Sequence, residues 1–163
     1  MSVSKKIVLV GHYGVGKSSL IRRFVQNIFS DSCQVTIGVH ILKKTVPYKG
    51  EDITLVLWDI EGKENINQSR TSYLLGTSGF VFVIDPTRDT TYQNLKEELI
   101  FLEKNYPKVP VIKLVNKSDL INIEEFQKVL AIQNLEIDFF SSAKTGENVE
   151  NVFMQLVSKM LGT

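Results

Sequence analysis

Two hydrophobic patterns alternate along the chain. Short continuous apolar runs are separated by longer stretches in which apolar residues recur every three or four positions. The run Ile7–Val10 is typical of a strand that is covered on both faces of a sheet. In Lys17–Gln26, by contrast, Leu20 and Phe24 lie at helical spacing. The alternation favours an α/β fold with a mostly parallel sheet.

The two patterns predict about six strands and five helices. Val39–Pro47 and Asp52–Asp59 flank a turn at residues 48–51, so we expect this pair to form an antiparallel hairpin. The segment from Glu61 to about Gln68 is polar, follows neither pattern and is expected to be mobile. The predicted strands are Ile7–Val10, Val39–Pro47, Asp52–Asp59, Phe80–Asp85, Val111–Val115 and Glu136–Phe140. The predicted helices are Lys17–Gln26, Ser69–Leu75, Thr91–Asn105, Ile123–Ile132 and Asn148–Leu161.

Composition and charge narrow the class of protein. A length of 163 residues indicates one domain over residues 1–163, and 43% hydrophobic with 23% charged residues excludes a disordered or fibrous chain. The net charge of +1 argues against a nucleic-acid partner. No apolar run approaches the ~20 residues that span a bilayer. The single cysteine, Cys33, excludes an internal disulfide and indicates a reducing, cytoplasmic compartment.

A glycine-rich motif follows the first predicted strand. Residues 11–18 read GHYGVGKS, which matches the pattern G-x-x-x-x-G-K-[ST] between a buried strand and an amphipathic helix. Such a loop turns backbone N–H groups towards phosphate oxygens, and the helix N-terminus adds partial positive charge. Lys17 can reach the β- and γ-phosphates, and the Ser18 hydroxyl is placed to bind Mg²⁺. The loop by itself predicts a nucleoside triphosphate and leaves ATP open.

Two later segments indicate guanine. Residues 116–119 read NKSD at the end of a predicted strand, where ligands bind in open α/β sheets. The Asp119 carboxylate can accept two hydrogen bonds from the N1–H and the amino group of guanine, a donor pair that adenine lacks. Residues 141–144 read SSAK and end the last predicted strand in an equivalent place.

Together with the phosphate loop, these segments resemble the Ras superfamily of small GTPases, and most closely its Rab and Ras branches. Residues 142–149, 36–39 and 58–64 carry the Rab likeness, and the resemblance extends from Lys5 to Leu161. It implies a three-layer Ras-like fold with a six-stranded mixed sheet, one antiparallel strand and helices on both faces. It also implies a GTP- and GDP-binding switch that uses Mg²⁺ and hydrolyses GTP to GDP.

The resemblance implies roles for individual residues. Asn116 and Asp119 would hold guanine, with Lys117 along the base, and Phe29 would either stack on the base or pack beside the first helix. The implied nucleotide-binding positions are Gly14, Val15, Gly16, Lys17, Ser18, Ser19, Phe29, Thr36, Gly62, Asn116, Lys117, Asp119, Ser142, Ala143 and Lys144. The implied Mg²⁺ positions are Ser18, Thr36 and Asp59, with Asp59 acting through water. The implied catalytic positions are Lys17, Thr36, Gly62 and Lys63.

Among the positions that depart from the pattern of this family, two matter most. Lys63 stands where a glutamine usually orients the attacking water, and an ammonium group donates hydrogen bonds but accepts none. We therefore expect slow hydrolysis, unless another group substitutes or Lys63 assists as a point charge. Tyr13 stands where a small residue is usual. Its ring would crowd the γ-phosphate, where an activating arginine would enter, or it would point to solvent or cover the nucleotide as a lid.

These expectations leave two main functional hypotheses. One is a slowly hydrolysing switch whose residues 30–38 (switch I) and 59–72 (switch II) signal to protein effectors, with exchange or activating factors as further partners. The other is a GTP-bound interaction module that hardly turns over. An ATP-dependent kinase is opposed by Asp119. We expect a monomer that reaches membranes only through a partner or through a lipid-bearing tail beyond residue 163.

Overall fold

A computed structural model of the chain describes residues 3–31, 35–63 and 65–162, so Cys33 lies outside the described residues. Within these ranges the chain forms six strands and five α-helices, which confirms the predicted α/β architecture. The strands are β1 (Val3–Val10), β2 (Val39–Tyr48), β3 (Glu51–Ile60), β4 (Gly79–Ile84), β5 (Val111–Val115) and β6 (Phe139–Phe140). The helices are α1 (Lys17–Gln26), α2 (Thr71–Leu74), α3 (Leu95–Asn105), α4 (Ile123–Ile132) and α5 (Val149–Leu161).

The strands form one mixed sheet in the order β2-β3-β1-β4-β5-β6. The predicted hairpin is confirmed, because β2 and β3 pair antiparallel with Tyr48 opposite Glu51. All other neighbours in the sheet are parallel. The carboxyl ends of β1, β3, β4, β5 and β6 therefore meet at one edge, and the loops that follow these strands lie together.

Alternating side chains of the strands build a core on each face of the sheet. On β1, Ile7 and Leu9 pack into the core that contains residues of α1 and α5. Val8 and Val10 pack into the other core, with residues of α2, α3 and α4. This period of two explains the unbroken apolar run at the end of β1, since both faces are covered. Among the described residues, no helix has the length and apolar character needed to cross a bilayer.

Three elements are shorter than the pattern predicts. The α2 helix is confined to Thr71–Leu74, because the backbone of Arg70 and of Leu75 on either side is extended. In the other two elements, side chains take backbone hydrogen bonds. The α3 helix begins at Leu95 and not at Thr91, whose hydroxyl donates to the carbonyls of Asp85 (2.9 Å) and Arg88 (2.8 Å). The β6 strand is confined to Phe139–Phe140. Just before it, the carboxylate of Asp138 accepts from the N–H of Lys113 (2.7 Å).

The polar segment that lacks a sequence pattern contains a one-turn 3-10 helix at Ile66–Gln68. The Asn65 side chain accepts from the N–H of Asn67 (3.1 Å), and the Gln68 side chain accepts from the N–H of Asn65 (3.3 Å). Ile66 is buried in the core beneath it. One buried apolar residue and a reciprocal cap thus give this turn a defined structure.

Candidate functional site

The phosphate loop connects β1 to α1 and passes close to neighbouring backbone. Gly11 has φ 147° and Gly16 has φ 104°, in the left-handed region that favours glycine. A Cβ atom on Gly11 would lie 2.4 Å from the carbonyl oxygen of Val83, and one on Gly16 would lie 2.2 Å from the Asn116 amide nitrogen. These two contacts explain why the loop needs glycine at both positions.

Lys17 begins α1 and places its ammonium group inside the loop. Its Nζ donates to the carbonyls of Gly11 (2.9 Å) and His12 (3.0 Å). Burial lowers the pKa of Lys17 to about 8, the charge of Asp59 opposes this shift, and Arg88 adds to it. The side chain therefore presents a desolvated cation, which phosphate oxygens would stabilise.

Three oxygen-bearing side chains converge beside the phosphate loop. The hydroxyl oxygens of Ser18 and Thr36 are 2.9 Å apart, the Ser18 hydroxyl donates to Asp59 Oδ2, and the Thr36 hydroxyl lies 3.4 Å from the same oxygen. The second carboxylate oxygen, Oδ1 of Asp59, is buried and has no hydrogen-bond partner among the described residues. Hydroxyl and carboxylate oxygens are hard ligands of the kind that Mg²⁺ prefers. The cluster thus fits a Mg²⁺ ion, which would satisfy Oδ1 directly or through water.

Asn116 joins the loops that follow three strands. Its amide N–H₂ donates to the carbonyl of Val15 (3.0 Å), and its amide oxygen lies 3.3 Å from the Ser141 hydroxyl and from the backbone N–H of Ala143, both of which donate to it. The side chain is buried and holds the phosphate loop against the loops after β5 and β6. Asn116 therefore shapes the cleft as well as lining it.

Asp119 is an exposed carboxylate with a fixed orientation. The buried hydroxyl of Ser142 donates to its Oδ1 at 2.7 Å. A carboxylate held by one hydrogen bond retains acceptor capacity on its other oxygen and can accept a pair of N–H groups. Ser142 itself does not line the cleft, so its contribution is to orient Asp119.

Lys117 and Arg88 brace the outer side of the phosphate loop. Lys117 Nζ donates to the carbonyl of Gly14 (2.7 Å) and to Asp85 (2.8 Å), while Arg88 donates to the carbonyl of Tyr13 (2.6 Å) and to Asp85 (3.2 Å). Burial would raise the pKa of Asp85, but hydrogen bonds from Lys117 and Thr87 outweigh it and hold this pKa below its usual value. The buried Asp85 carboxylate thus anchors two cations against the loop.

One cleft of about 260 Å³ collects most of the residues singled out in the sequence. Val15, Ser142 and Lys63 do not line it, and the Val15 side chain is buried in the core. Phe29 lines the cleft with its side chain partly exposed. Of the predicted site residues, those that line the cleft are Gly14, Gly16, Lys17, Ser18, Ser19, Phe29, Thr36, Asp59, Gly62, Asn116, Lys117, Asp119, Ala143 and Lys144.

Switch II meets the phosphate loop at Gly62. A Cβ atom there would lie 2.4 Å from the backbone nitrogen of Tyr13, so glycine is required for this approach. Lys63 Nζ is 3.2 Å from a carboxylate oxygen of Glu61, and its hydrogen bond is the main reason that the pKa of Glu61 lies below its usual value. Lys63 lines a neighbouring cleft, together with His12, Tyr13 and Arg88. Its ammonium group is therefore outside the main cleft.

Tyr13 lies at the boundary of the two clefts. Its side chain is 48% exposed, and it lines both of them. A half-exposed ring at this boundary is compatible with each predicted alternative, a ring beside the γ-phosphate, over the nucleotide or towards solvent.

Sequence reasoning missed three residues that support the site. Asp85 and Arg88 brace the phosphate loop, as described above, and Arg23 on α1 donates to the carbonyls of Ala143 (2.8 Å) and Lys144. No local pattern marks these residues, because each acts on a segment distant in sequence. For Arg23, the sequence shows only a basic residue in the last turn of the predicted helix α1, which does not indicate its contact with residues 143 and 144.

Comparisons with known proteins agree with this geometry. The sequence model that describes the Ras family matches residues 6–162 of this chain. Ras-related protein Rab-1A of Dictyostelium discoideum is 35% identical over 161 residues, which cover 95% of this chain and 79% of that protein. Ras-related protein Rab-30 of Homo sapiens is 34% identical over 165 residues, which cover 96% and 79%. Ras-related protein YPTC6 of Chlamydomonas reinhardtii is 34% identical over 160 residues, which cover 95% and 74%. With its sheet order, its phosphate loop and these relatives, the chain belongs to the Ras family and is a Rab-like small GTPase.

Proposed function

We propose that this protein is a guanine-nucleotide switch that binds GTP or GDP with Mg²⁺, hydrolyses GTP slowly and signals to effectors through switch I and switch II. The observation that supports this most strongly is a single cleft lined by Lys17, by the oxygens of Ser18, Thr36 and Asp59, and by Asp119. A phosphate-binding cation, a hard-cation ligand set and an oriented carboxylate match the three parts of a Mg²⁺-bound guanine nucleotide.

Each part of the site has a distinct role in this proposal. Lys17 and the backbone N–H groups of the loop stabilise charge on the β- and γ-phosphates. Ser18, Thr36 and Asp59 hold Mg²⁺, which when bound neutralises phosphate charge. Asp119, oriented by Ser142, selects guanine over adenine.

Slow hydrolysis follows from the chemistry and the position of Lys63. An ammonium group cannot accept a hydrogen bond from the attacking water, which the usual glutamine does. In this structure the Lys63 ammonium pairs with Glu61 and lies along the neighbouring cleft. It therefore neither orients water nor contacts the main cleft in this conformation.

A GTP-bound interaction module with almost no turnover is the second candidate. The Glu61–Lys63 ion pair favours this candidate, because Lys63 occupies the position of the water-orienting glutamine and its ammonium group is paired with Glu61. Tyr13 also favours it, because its large side chain borders the space that an activating arginine would need.

Single-turnover hydrolysis of preloaded GTP with Mg²⁺ tests the role of Lys63. We expect slow hydrolysis by the wild type, and a rate higher by about tenfold or more for Lys63→Gln, because the amide both accepts from water and donates to phosphate. Lys128→Gln, which changes an exposed lysine on α4, is the matched control and should leave the rate unchanged.

The same experiment separates the two candidates. No detectable hydrolysis by the wild type over many hours, with tight GTP binding, would favour the interaction module. Rapid hydrolysis by the wild type that Lys63→Gln does not increase would contradict the role given to Lys63. Failure of both proteins to bind guanine nucleotide would contradict both candidates.

The partners and the location follow from the proposed switch. Effectors would bind the GTP-ordered switches, and exchange or activating factors would set the nucleotide state. We further propose that the protein acts as a cytoplasmic monomer, with membrane association through a partner or a lipid-bearing tail.

A further inference from the structure

Glu98 is a buried carboxylate on the apolar face of α3. It lies three positions after Leu95 and four before Leu102, and all three side chains are buried on the same face of the helix. Only 3% of Glu98 is exposed. Burying a carboxylate costs free energy unless it is hydrogen-bonded, so an acidic residue here requires a specific reason.

The two oxygens of Glu98 face two different parts of the proposed switch. Oε2 accepts a hydrogen bond from the backbone N–H of Ile66 at 3.1 Å, at the start of the 3-10 helix in switch II. Oε1 lies 3.9 Å from Nε2 of His12 in the phosphate loop. One side chain on α3 thus lies between the loop that would hold phosphate and the segment that would respond to it.

His12 extends this contact to the phosphate-binding lysine. The backbone carbonyl of His12 accepts from Lys17 Nζ at 3.0 Å. The backbone carbon of His12 also lies 2.8 Å from the place where a Cβ on Gly62 would be. His12 therefore contacts Glu98 through its side chain, and it contacts Lys17 and lies close to Gly62 through its backbone.

We propose that Glu98 is a positioning residue that fixes the 3-10 turn of switch II, at Ile66–Gln68, relative to the phosphate loop, through the backbone of Ile66 and the side chain of His12. The inference rests on the proposed function only in treating this segment as a switch, since the contacts themselves involve no nucleotide. A fixed Ile66 limits how far switch II moves when its nucleotide changes, and it holds Gly62 and Lys63 close to the loop.

Burial supports a special role for this side chain. Desolvation raises the pKa of Glu98 to about 7, the Ile66 hydrogen bond opposes this rise, and the neighbouring charge of Glu97 adds to it. The charged or titratable groups that bear on Glu98 among the described residues are thus His12 from the loop and Glu97 from its own helix. Both the ionised and the protonated carboxyl group can accept from Ile66.

Amide hydrogen exchange at Ile66 tests the proposal, with Glu98→Gln and Glu98→Met as variants. The glutamine oxygen can still accept from Ile66, whereas methionine has similar volume, suits the apolar face and cannot replace the acceptor. We expect Glu98→Met to speed exchange at Ile66 by about tenfold, with Glu98→Gln within about threefold of the wild type. Exchange in β5 should stay unchanged in both variants. Glu97→Met, on the exposed side of the same helix, is the matched control and should leave Ile66 unchanged.

Nucleotide measurements on the same variants test the positioning role. We expect Glu98→Met to keep the GDP dissociation constant within about threefold while its single-turnover GTP hydrolysis changes by more than that, because only the switch is released. Unchanged exchange at Ile66 in Glu98→Met would overturn the proposal. So would faster exchange throughout the sheet, which would indicate a general folding role, and so would equal effects of Glu98→Met and Glu98→Gln.

The proposal and the proposed function fail in different ways. Exchange at Ile66 is also measured on the nucleotide-free protein, where it reports only whether Glu98 holds the turn. If the protein binds no guanine nucleotide, the proposed function fails while the exchange result still decides the role of Glu98.

Discussion

Single side chains with several partners hold the loops of the cleft together. Asn116 is the clearest example, because its amide connects Val15, Ser141 and Ala143 across more than a hundred residues of sequence. Without the Asn116 amide, the Val15 carbonyl, the Ser141 hydroxyl and the Ala143 N–H would each lose a hydrogen-bond partner. The geometry of the cleft therefore depends on a side chain whose main contacts are with the protein itself.

Replacing Asn116 by alanine should destabilise the fold as well as weaken nucleotide binding. We expect a loss of about 2–3 kcal/mol in the free energy of unfolding, since several buried polar groups lose a partner. Chemical denaturation without nucleotide measures this. Ser141→Ala removes one of the hydrogen bonds and should cost about 1 kcal/mol. A change below about 0.5 kcal/mol for Asn116→Ala would show that the amide is not a structural brace.

Replacing Asp59 by asparagine should weaken the response to Mg²⁺. Asp59 Oδ1 is buried without a partner among the described residues, and a neutral amide is a poorer ligand for a hard cation. The ratio of the GDP dissociation constant in EDTA to that in Mg²⁺ measures this response. We expect Asp59→Asn to lower this ratio by about 10- to 100-fold. Calorimetry with and without Mg²⁺ measures it, with Asp52→Asn at the exposed start of β3 as control. An unchanged response to Mg²⁺ would contradict the assignment of this site.

The two motifs whose residues line the cleft could be located from the sequence, whereas the side chains that brace them could not. Residues 11–18 and 116–119 are local patterns whose spacing reflects the ligand that they suit. The hydrogen bonds from Arg23 to Ala143 and from Arg88 to Tyr13 join residues far apart in sequence. Such pairs leave no periodic signal, and neither does the ion pair that turns Lys63 towards Glu61.

At the level of secondary structure, elements whose ends are set locally were predicted best. The bounds of α1 and α4 are those predicted, and the Asn122 side chain caps α4 by accepting from the N–H of Glu125 at 3.1 Å. The predicted start of α3 was wrong because the Thr91 hydroxyl bonds to backbone carbonyls nearby. The sequence also offered no reason to single out Glu98 on α3. A charged residue in a helical pattern is normally exposed to solvent, whereas Glu98 is buried beside Leu95 and Leu102.

Buried Glu98 should make the stability of the protein depend on pH. Its pKa is about 7 in the folded protein and 4.5 in an exposed chain, so the folded state holds the proton more tightly. The stabilisation is complete below about pH 4.5 and is lost as the pH rises through about 7. Relative to Glu98→Gln, the wild type should therefore lose about 1–3 kcal/mol between these limits.

Urea denaturation at a series of pH values measures this difference. Glu97→Gln, which alters the exposed neighbour, should follow the wild type. If the difference between wild type and Glu98→Gln stays constant, or grows in favour of the wild type as the pH rises, then a raised pKa of Glu98 in the folded protein is contradicted.

For the whole molecule, the order of the sheet assembles the cleft. Parallel pairing of β1 with β3 and β4, and of β4 with β5, brings the loops after these strands to one edge. Lys17 and Asp119 follow β1 and β5, Asp59 lies at the carboxyl end of β3, and all three line one cleft for this reason. The general rule for open α/β sheets is sufficient to predict this meeting, but not the exact distances within it.

The choice of guanine over adenine tests the central claim most directly. Competition between GDP and ADP for the Mg²⁺-bound protein should show a preference for GDP of at least about a thousandfold, because Asp119 would be left unpaired by adenine. Asp119→Ala should remove most of this preference, while Glu124→Ala on the exposed face of α4 should keep it. Comparable binding of ADP and GDP, or an unchanged preference in Asp119→Ala, would contradict a guanine-nucleotide switch built on this site.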